Sequence, residues 1–368
     1  MTMTNKQPIK YPSPKDLEYI LSDSVKKAVL TTFLRRRGIF YFNTTQTELA
    51  RQLAFILWDA EALEEFRAMA YRASNKKILS GFTLTSANPF ELNQIYDTVR
   101  EKGALITSGY KLNVISRIIR GEETSYEGTL SYIKKSAGRI AFIRTEERDA
   151  SFTMKRVSDL EWQVEVDGGK SNDGKAVLTM LENIVKDHDI SMKTMRIDSL
   201  TKGQTIIFFD KLAKQGLSGE WEIEDVGRIY IKKDAGTKEE NDDSDDTTED
   251  TTEVTGEDLS GISNAILEGQ NLREHEFVRK AEAAGYAFTS MTYLFSNKKT
   301  GAKIRLRAEF KGSPKIFEVA LEDYELPNTN EDNGFSSDLD NLEDKENMKI
   351  RSEFWNNAQS IYFTALNE

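Results

Sequence analysis

The stretch DAGTKEENDDSDDTTEDTTEVTGED, Asp234 to Asp258, limits what this chain can fold into more than any other feature. It holds twelve Asp and Glu against one Lys and a single large apolar residue, Val254. Such a segment cannot bury enough surface to offset its ordering entropy, so it is expected to be a solvated, disordered linker between folded parts. It also equals the whole net charge of −11, which leaves the other residues balanced. A second polar stretch, Glu325 to Glu346, carries eight acids and Lys345, and the loop 327–346 within it is expected to be mobile.

With these set aside, the remainder is basic, and residues 1–120 alone hold 18 Lys and Arg against 11 Asp and Glu. A basic module beside acidic segments suits a protein that binds a polyanion without sticking indiscriminately. The alternative is a solvated surface on which Lys and Arg stems lie over helices. There is no cysteine, so disulfides, Cys-ligated zinc, iron–sulfur clusters and thiol catalysis are excluded. The N-terminal MTMTNKQPIKYPSP has no apolar signal core, and Leu53 to Trp58 is too short an apolar run to span a bilayer. These features read as a soluble, cytoplasmic protein with no membrane partner.

Periodicity predicts an α+β, multidomain chain. Residues 1–121 are expected to form a helical domain. Its helices are marked by Val25, Val29 and Phe33, by Leu49, Leu53, Ile56 and Leu57, by Leu63, Phe66 and Ala70, by Leu92, Ile95, Tyr96 and Val99 after Pro89, and by Leu112, Ile115, Ile118 and Ile119. Residues 122–233 read as a mixed domain with an antiparallel sheet. A meander of Leu130–Lys135, Arg139–Arg144, Phe152–Val157 and Leu160–Val166 is followed by a helix at Val177–Ile184, a helical reading of Ile206–Leu212 and a strand at Trp221–Lys232. Residues 259–368 read as an α-β-β-β-α domain. Helices near Ile262–Leu267 and Phe277–Ala284 lead to strands at Tyr286–Ser296, Lys303–Lys311 and Lys315–Leu321, and then to a final helix through Phe354, Trp355 and Tyr362.

Motifs exclude several chemistries. A phosphate-binding G-x-x-x-x-G-K-[ST] is missing its first glycine, whose place is taken by Val164, and no dinucleotide G-x-G-x-x-G occurs. His188 and His275 lie far apart between carboxylates, so no cofactor or histidine-built metal site is called for. Two carboxylate sets could hold a hard cation through oxygen ligands. One is Glu161, Glu165 and Asp167 with Lys170; the other is Glu309 and Lys311, with Glu276 or Glu282 from the preceding helix. Glu309-Phe310-Lys311 resembles the end of the PD-(D/E)xK nuclease motif, which implies a carboxylate-dependent, Mg-type nuclease as one alternative function. The other reading of that strand is a salt-laced outer sheet face, with Lys303, Arg305 and Arg307 paired to Glu318 and Glu322.

The remaining positive signal lies in residues 24–58: VKKAVLTTFLRRRG, then IFYF, then TTQTELARQLAFIL with a Thr45-x-x-Glu48 capping box. This helix–extension–helix order resembles SAP-type DNA-binding modules. The resemblance implies that Lys26, Lys27, Arg35, Arg36 and Arg37 contact the phosphates of duplex DNA. The leading expectation is a non-enzymatic DNA-binding or scaffolding subunit of a larger assembly. A protein-binding adaptor, joined to a partner or a second copy, is the other alternative.

Overall fold

In the computed structural model, the described residues are 11–25, 27–42, 44–72, 77–89, 97, 109–120, 123–135, 141–185, 189–232, 264–269, 272–312, 314–327, 335–337 and 342–366. They form a mixed α+β structure with eight α-helices among the described residues and a large sheet whose resolved pairings are antiparallel. The chain divides into two compact units, Met1–Asn75 with Ser131–Arg148, and Lys76–Leu130 with Asp149–Glu368. Neither division falls at 121 or at 233.

The first unit is built on capped helices. Helix α1 (Pro14–Tyr19) opens with Pro14 after a Ser13/Asp16 capping box and runs into a π-turn, Ile20–Ser24. Helix α2 (Lys27–Arg36) stops at Gly38, whose φ of +74° lets the Ile39 N–H reach back to the Leu34 carbonyl at 2.9 Å. Helix α3 (Gln46–Leu53) begins with the expected capping box, in which Glu48 N–H donates to Thr45 Oγ1 at 3.2 Å. Helix α4 (Ala60–Arg72) follows. Phe33, Trp58 and Phe66 meet at centroid distances of 4.8–6.0 Å, in a core that also takes Leu17, Leu30, Leu49 and, from the 3₁₀ turn Ala141–Ile143, Ile143.

The strands are β1 (Ile78–Ser86), β2 (Tyr110–Arg120), β3 (Glu123–Lys135), β4 (Thr145–Ser158), β5 (Glu161–Gly168), β6 (Ile190–Lys193), β7 (Trp221–Lys232), β8 (Asn264–Glu268), β9 (Ala287–Asn297), β10 (Lys303–Lys311), β11 (Ile316–Pro327) and β12 (Phe335–Ser337), all in the second unit except Ser131–Lys135 of β3 and Thr145–Arg148 of β4. Their order is β2-β3-β4-β5-β1-β11-β10-β9-β7-β8, with β6 beside β1 and β12 beside β11. Consecutive residues of β1 show what covers each face. Gly81 lies under Trp355 of α8 (Asp344–Ala365), and Ser80 abuts Gly174 of α5 (Ser171–Val185). The α8 face also carries α6 (Lys202–Gln215), and there Phe208, Phe310, Phe317 and Tyr362 pack with centroids 5.3–6.4 Å apart. Residues Ile304, Leu306, Ala308 and Phe310 of β10 point into this core, so Arg307 and Glu309 must point the other way. Helix α7 (Glu276–Ala283) precedes β9.

Several expectations are corrected. Leu112, Ile115, Ile118 and Ile119 lie on strand β2, not on a helix, because the β-branched isoleucines suit the pleated surface. The segment expected as a helix near Ile262–Leu267 is β8, and the described part of Arg139–Arg144 is a 3₁₀ turn, so β2 takes its place in the meander. Ile56 and Leu57 lie past the end of α3 and face solvent. Pro327 pairs with Phe335, which places a strand pair inside the expected 327–346 loop. The segment Asp234–Asp258 lies outside the described residues, yet its flanks settle one point. Lys232 pairs with Asn264, and β7 pairs with both β8 and β9, so the described strands on either side of the acidic run share one sheet instead of two separate domains. The helix expected after Pro89 also lies outside the described residues. No helix among the described residues is long and apolar enough to cross a membrane.

Candidate functional site

The residues expected to contact phosphate lie at the end of α2 and beyond it. Arg37 is drawn inward, with its guanidinium 4.8 Å from the Phe33 ring centroid and salt-bridged to Glu65 at 3.2 Å and Asp59 at 3.4 Å. Arg36 also pairs with Glu65, at 3.1 Å, but its side chain stays mostly exposed. Lys27 Nζ donates to the Thr44 carbonyl at 2.6 Å and so ties α2 to the start of α3. Arg35 is exposed and makes no ion pair among the described residues, and Lys26 lies outside them. Across residues 11–72 there are nine Lys and Arg against eight Asp and Glu. The positive excess of the first 120 residues therefore lies mostly outside this helical stretch.

Sequence reasoning missed the exposed apolar side chains that follow α2 and α3 in the chain. Ile39 and Tyr41 pack against the core while Phe40 and Phe42 point outward, the latter 83% exposed. After α3 the chain turns because Trp58 is pulled in: its backbone N–H donates to Tyr11 Oη at 2.9 Å and its indole N–H to the Leu53 carbonyl at 3.0 Å. That leaves Phe55 and Leu57 outside, Leu57 at 85% exposure. The alternation of Ile39 through Phe42 was the available signal, since period two with apolar residues on both faces means that one apolar face has no partner within the unit.

In the first carboxylate set, Glu165 and Asp167 are engaged. Glu165 is buried; its Oε1 accepts from Ser352 Oγ at 2.7 Å and Gln163 Nε2 at 3.1 Å, and its Oε2 accepts from Lys155 at 3.1 Å. Asp167 takes a 2.7 Å bond from Arg351, which is enclosed on α8 and donates to Asn347 as well. Lys170 lies 5.2 Å from the Tyr110 ring centroid. A helix from the far end of the chain thus supplies the partners.

The second set lies on a salt-laced face, with Arg307 paired to Glu322 as read, but that face is largely buried and not solvated. Glu309 and Glu318 are directly opposite on β10 and β11, on the face away from the aromatic core. Glu318 is buried, and Ser171, the first residue of α5, donates to its Oε2 at 2.8 Å. Burial first, and the neighbouring Glu309 second, push Glu318 up to about 8, so near neutrality this carboxyl holds a proton. Arg307 holds Glu309 at 2.9 Å and Glu322 at 3.1 Å. Lys311 is exposed, while Glu276 pairs with Lys280 and Glu282 with Arg273. The arrangement can store a proton on Glu318. No group of three or more His, Asp or Glu that could hold a metal ion occurs among the described residues.

No family model matches the chain, and no curated protein matches it. Among solved structures it is similar to a di-domain ARO/CYC, BexL, of a biosynthetic pathway, at 10% identity over 78% of this chain and 97% of that one. The TM-score of 0.17 is too low to carry an argument about fold or activity.

Proposed function

We propose that this chain is a non-enzymatic scaffolding subunit of a larger assembly and that its first compact unit is where a protein partner docks. The observation that carries this is the outward set Phe40, Phe42, Phe55 and Leu57, large apolar side chains that a small helical unit has no internal reason to expose. Partner surfaces are enriched in aromatic anchors with arginine beside them, and Arg35 and Arg36 stand next to this stretch. The engagement of Glu165, Asp167 and Glu309 by basic or hydroxyl partners favours a binding role over hydrolysis. The test is a photo-crosslinking residue in place of Phe42, with a second in place of the exposed Leu160 as control. A discrete protein adduct at position 42 that is lost on Phe40→Ser is expected; equal labelling at both positions would refute the reading.

Contact with duplex DNA is the second reading, and the exposed guanidiniums of Arg35 and Arg36 favour it. Because Arg37 and Lys27 are held within the unit, about three phosphate contacts remain, Lys26, Arg35 and Arg36, and log K should fall against log salt with a slope of about −2.7. Fluorescence anisotropy with a labelled duplex measures this. A slope unchanged by Arg35→Ala with Arg36→Ala would end the DNA reading.

A further inference from the structure

We propose that the outer edge of β2 is a docking edge for an extended, acidic peptide segment of a partner protein, which joins the sheet as an added strand. β2 ends the strand order on its side, so one row of its N–H and C=O groups has no ladder partner among the described residues. It is eleven residues long, about 36 Å, with no proline and no acidic residue in its length. Natural edges are usually blunted by short length, by proline or by inward-pointing charge. The opposite edge of this same sheet shows such protection: β8 has five residues, and its last, Glu268, is salt-bridged to Arg228. β2 is neither short nor interrupted by proline, and its only charges, Lys111, Arg117 and Arg120, are all basic, which repels a second copy of this edge but not an acidic strand.

The strand is also held in place for docking. At its start the buried Tyr110 donates its hydroxyl to Asp173 of α5 at 2.7 Å, and the Lys170 ammonium lies over its ring. By alternation, Lys111, Ile115, Arg117 and Ile119 share the face opposite Tyr110. Ile119 is 61% exposed, Ile115 is half-buried, and Lys111 and Arg117 are exposed with no ion pair among the described residues. Every charged residue of the strand is basic.

Charge decides the occupant. A second copy would bring the same basic residues against this edge, whereas a peptide with acids opposite Lys111 and Arg117, and apolar residues between them, pairs with both cations and covers Ile115 and Ile119. Backbone bonds would supply affinity, and alternate side chains the selectivity. This inference concerns a different surface from Phe40–Phe42, and either can fail alone.

The experiment uses the full chain and fluorescent ten-residue peptides: alternating Glu-Val, alternating Lys-Val, and Glu-Val N-methylated at every second amide. The Glu-Val peptide should bind at least tenfold tighter than either of the others. Lys111→Glu with Arg117→Glu should weaken it at least tenfold with an unchanged circular dichroism spectrum, while Arg35→Ala leaves it unaffected. Equal binding of the N-methylated peptide would overturn strand addition, and indifference to the β2 substitutions would overturn the site. A disulfide-linked dimer formed efficiently by Ile119→Cys, together with sedimentation as a dimer, would assign the edge to a second copy and also overturn the proposal.

Discussion

The two carboxylate sets, Glu165 with Asp167 and Glu309 with Glu318, sit in one sheet and received opposite solutions. On β5 each acid has a basic partner, and the partners come from α8 and β4. On β10 and β11 two acids face one another across a register pair, and one of them gives up its charge by holding a proton. A buried carboxylate can be neutralised by a cation or by protonation, and which occurs depends on what the neighbouring element brings. Helix α8 brings Arg351, while the first turn of α5 brings only the hydroxyl of Ser171.

Breaking the cation solution should have the largest effect. Arg351→Met leaves Asp167 and Asn347 without their donor inside a closed interface, and a loss of about 3–5 kcal/mol in urea unfolding is expected. A loss below about 1 kcal/mol would mean that the α8–β5 salt link matters little to the fold.

The proton solution is tested by pH. Glu318 has a folded pKa raised from 4.5 to about 8, so its contribution to stability is fully present below about pH 4.5 and is lost as pH rises toward 8. The slope from this group cannot exceed about 1.4 kcal/mol per pH unit. Glu318→Gln, which keeps a hydrogen-bond acceptor for Ser171, should flatten the melting-temperature profile between pH 5 and 8 and make the variant the more stable form at the alkaline end. Parallel profiles for the two proteins would refute the protonated state.

Lys155→Ala removes the half-exposed partner of Glu165 and leaves the bonds from Ser352 and Gln163 in place, so the cost should stay below about 1 kcal/mol. A cost above about 3 kcal/mol would show that the cation, and not the hydroxyl and amide, is what compensates the burial of Glu165. The smallest effect is expected from metal: melting in excess Mg²⁺ and in chelator should coincide, because Glu165, Asp167 and Glu309 already have partners. A clear rise with Mg²⁺ would convert the Glu309–Glu318 pair into a cation site.

Much of the second unit was legible from sequence because local pattern and global role agree there. The alternation of β10, the turn residues between β9 and β10, and the broad apolar stripe of α8 each match the element that formed. Strand β1 escaped notice. It is central, buried on both faces, and therefore lacks clean alternation. β2 carried a helix-like spacing of Leu and Ile that its β-branched residues overrode. The site was less legible than the fold. Which acid meets Arg351 and which meets another acid depends on strand register and on helices far away in sequence, and no local pattern encodes that. The acidic run was read correctly for composition but not for position, because the pairing of Lys232 with Asn264 is invisible until the strands are aligned.

The place of β1 between β5 and β11 has a consequence for how the protein is made. The strand at the middle of the sheet emerges from the ribosome first, and its partner β11 begins about 230 residues later. At about 5–20 residues per second, that is on the order of 10–50 s during which Ile78–Ser86 has no β11 to pair with. Helix α8, whose Trp355 closes over Gly81, is still later. Completion of this sheet therefore waits for elements made much later, and the nascent chain must be kept from pairing elsewhere until β11 and α8 have emerged.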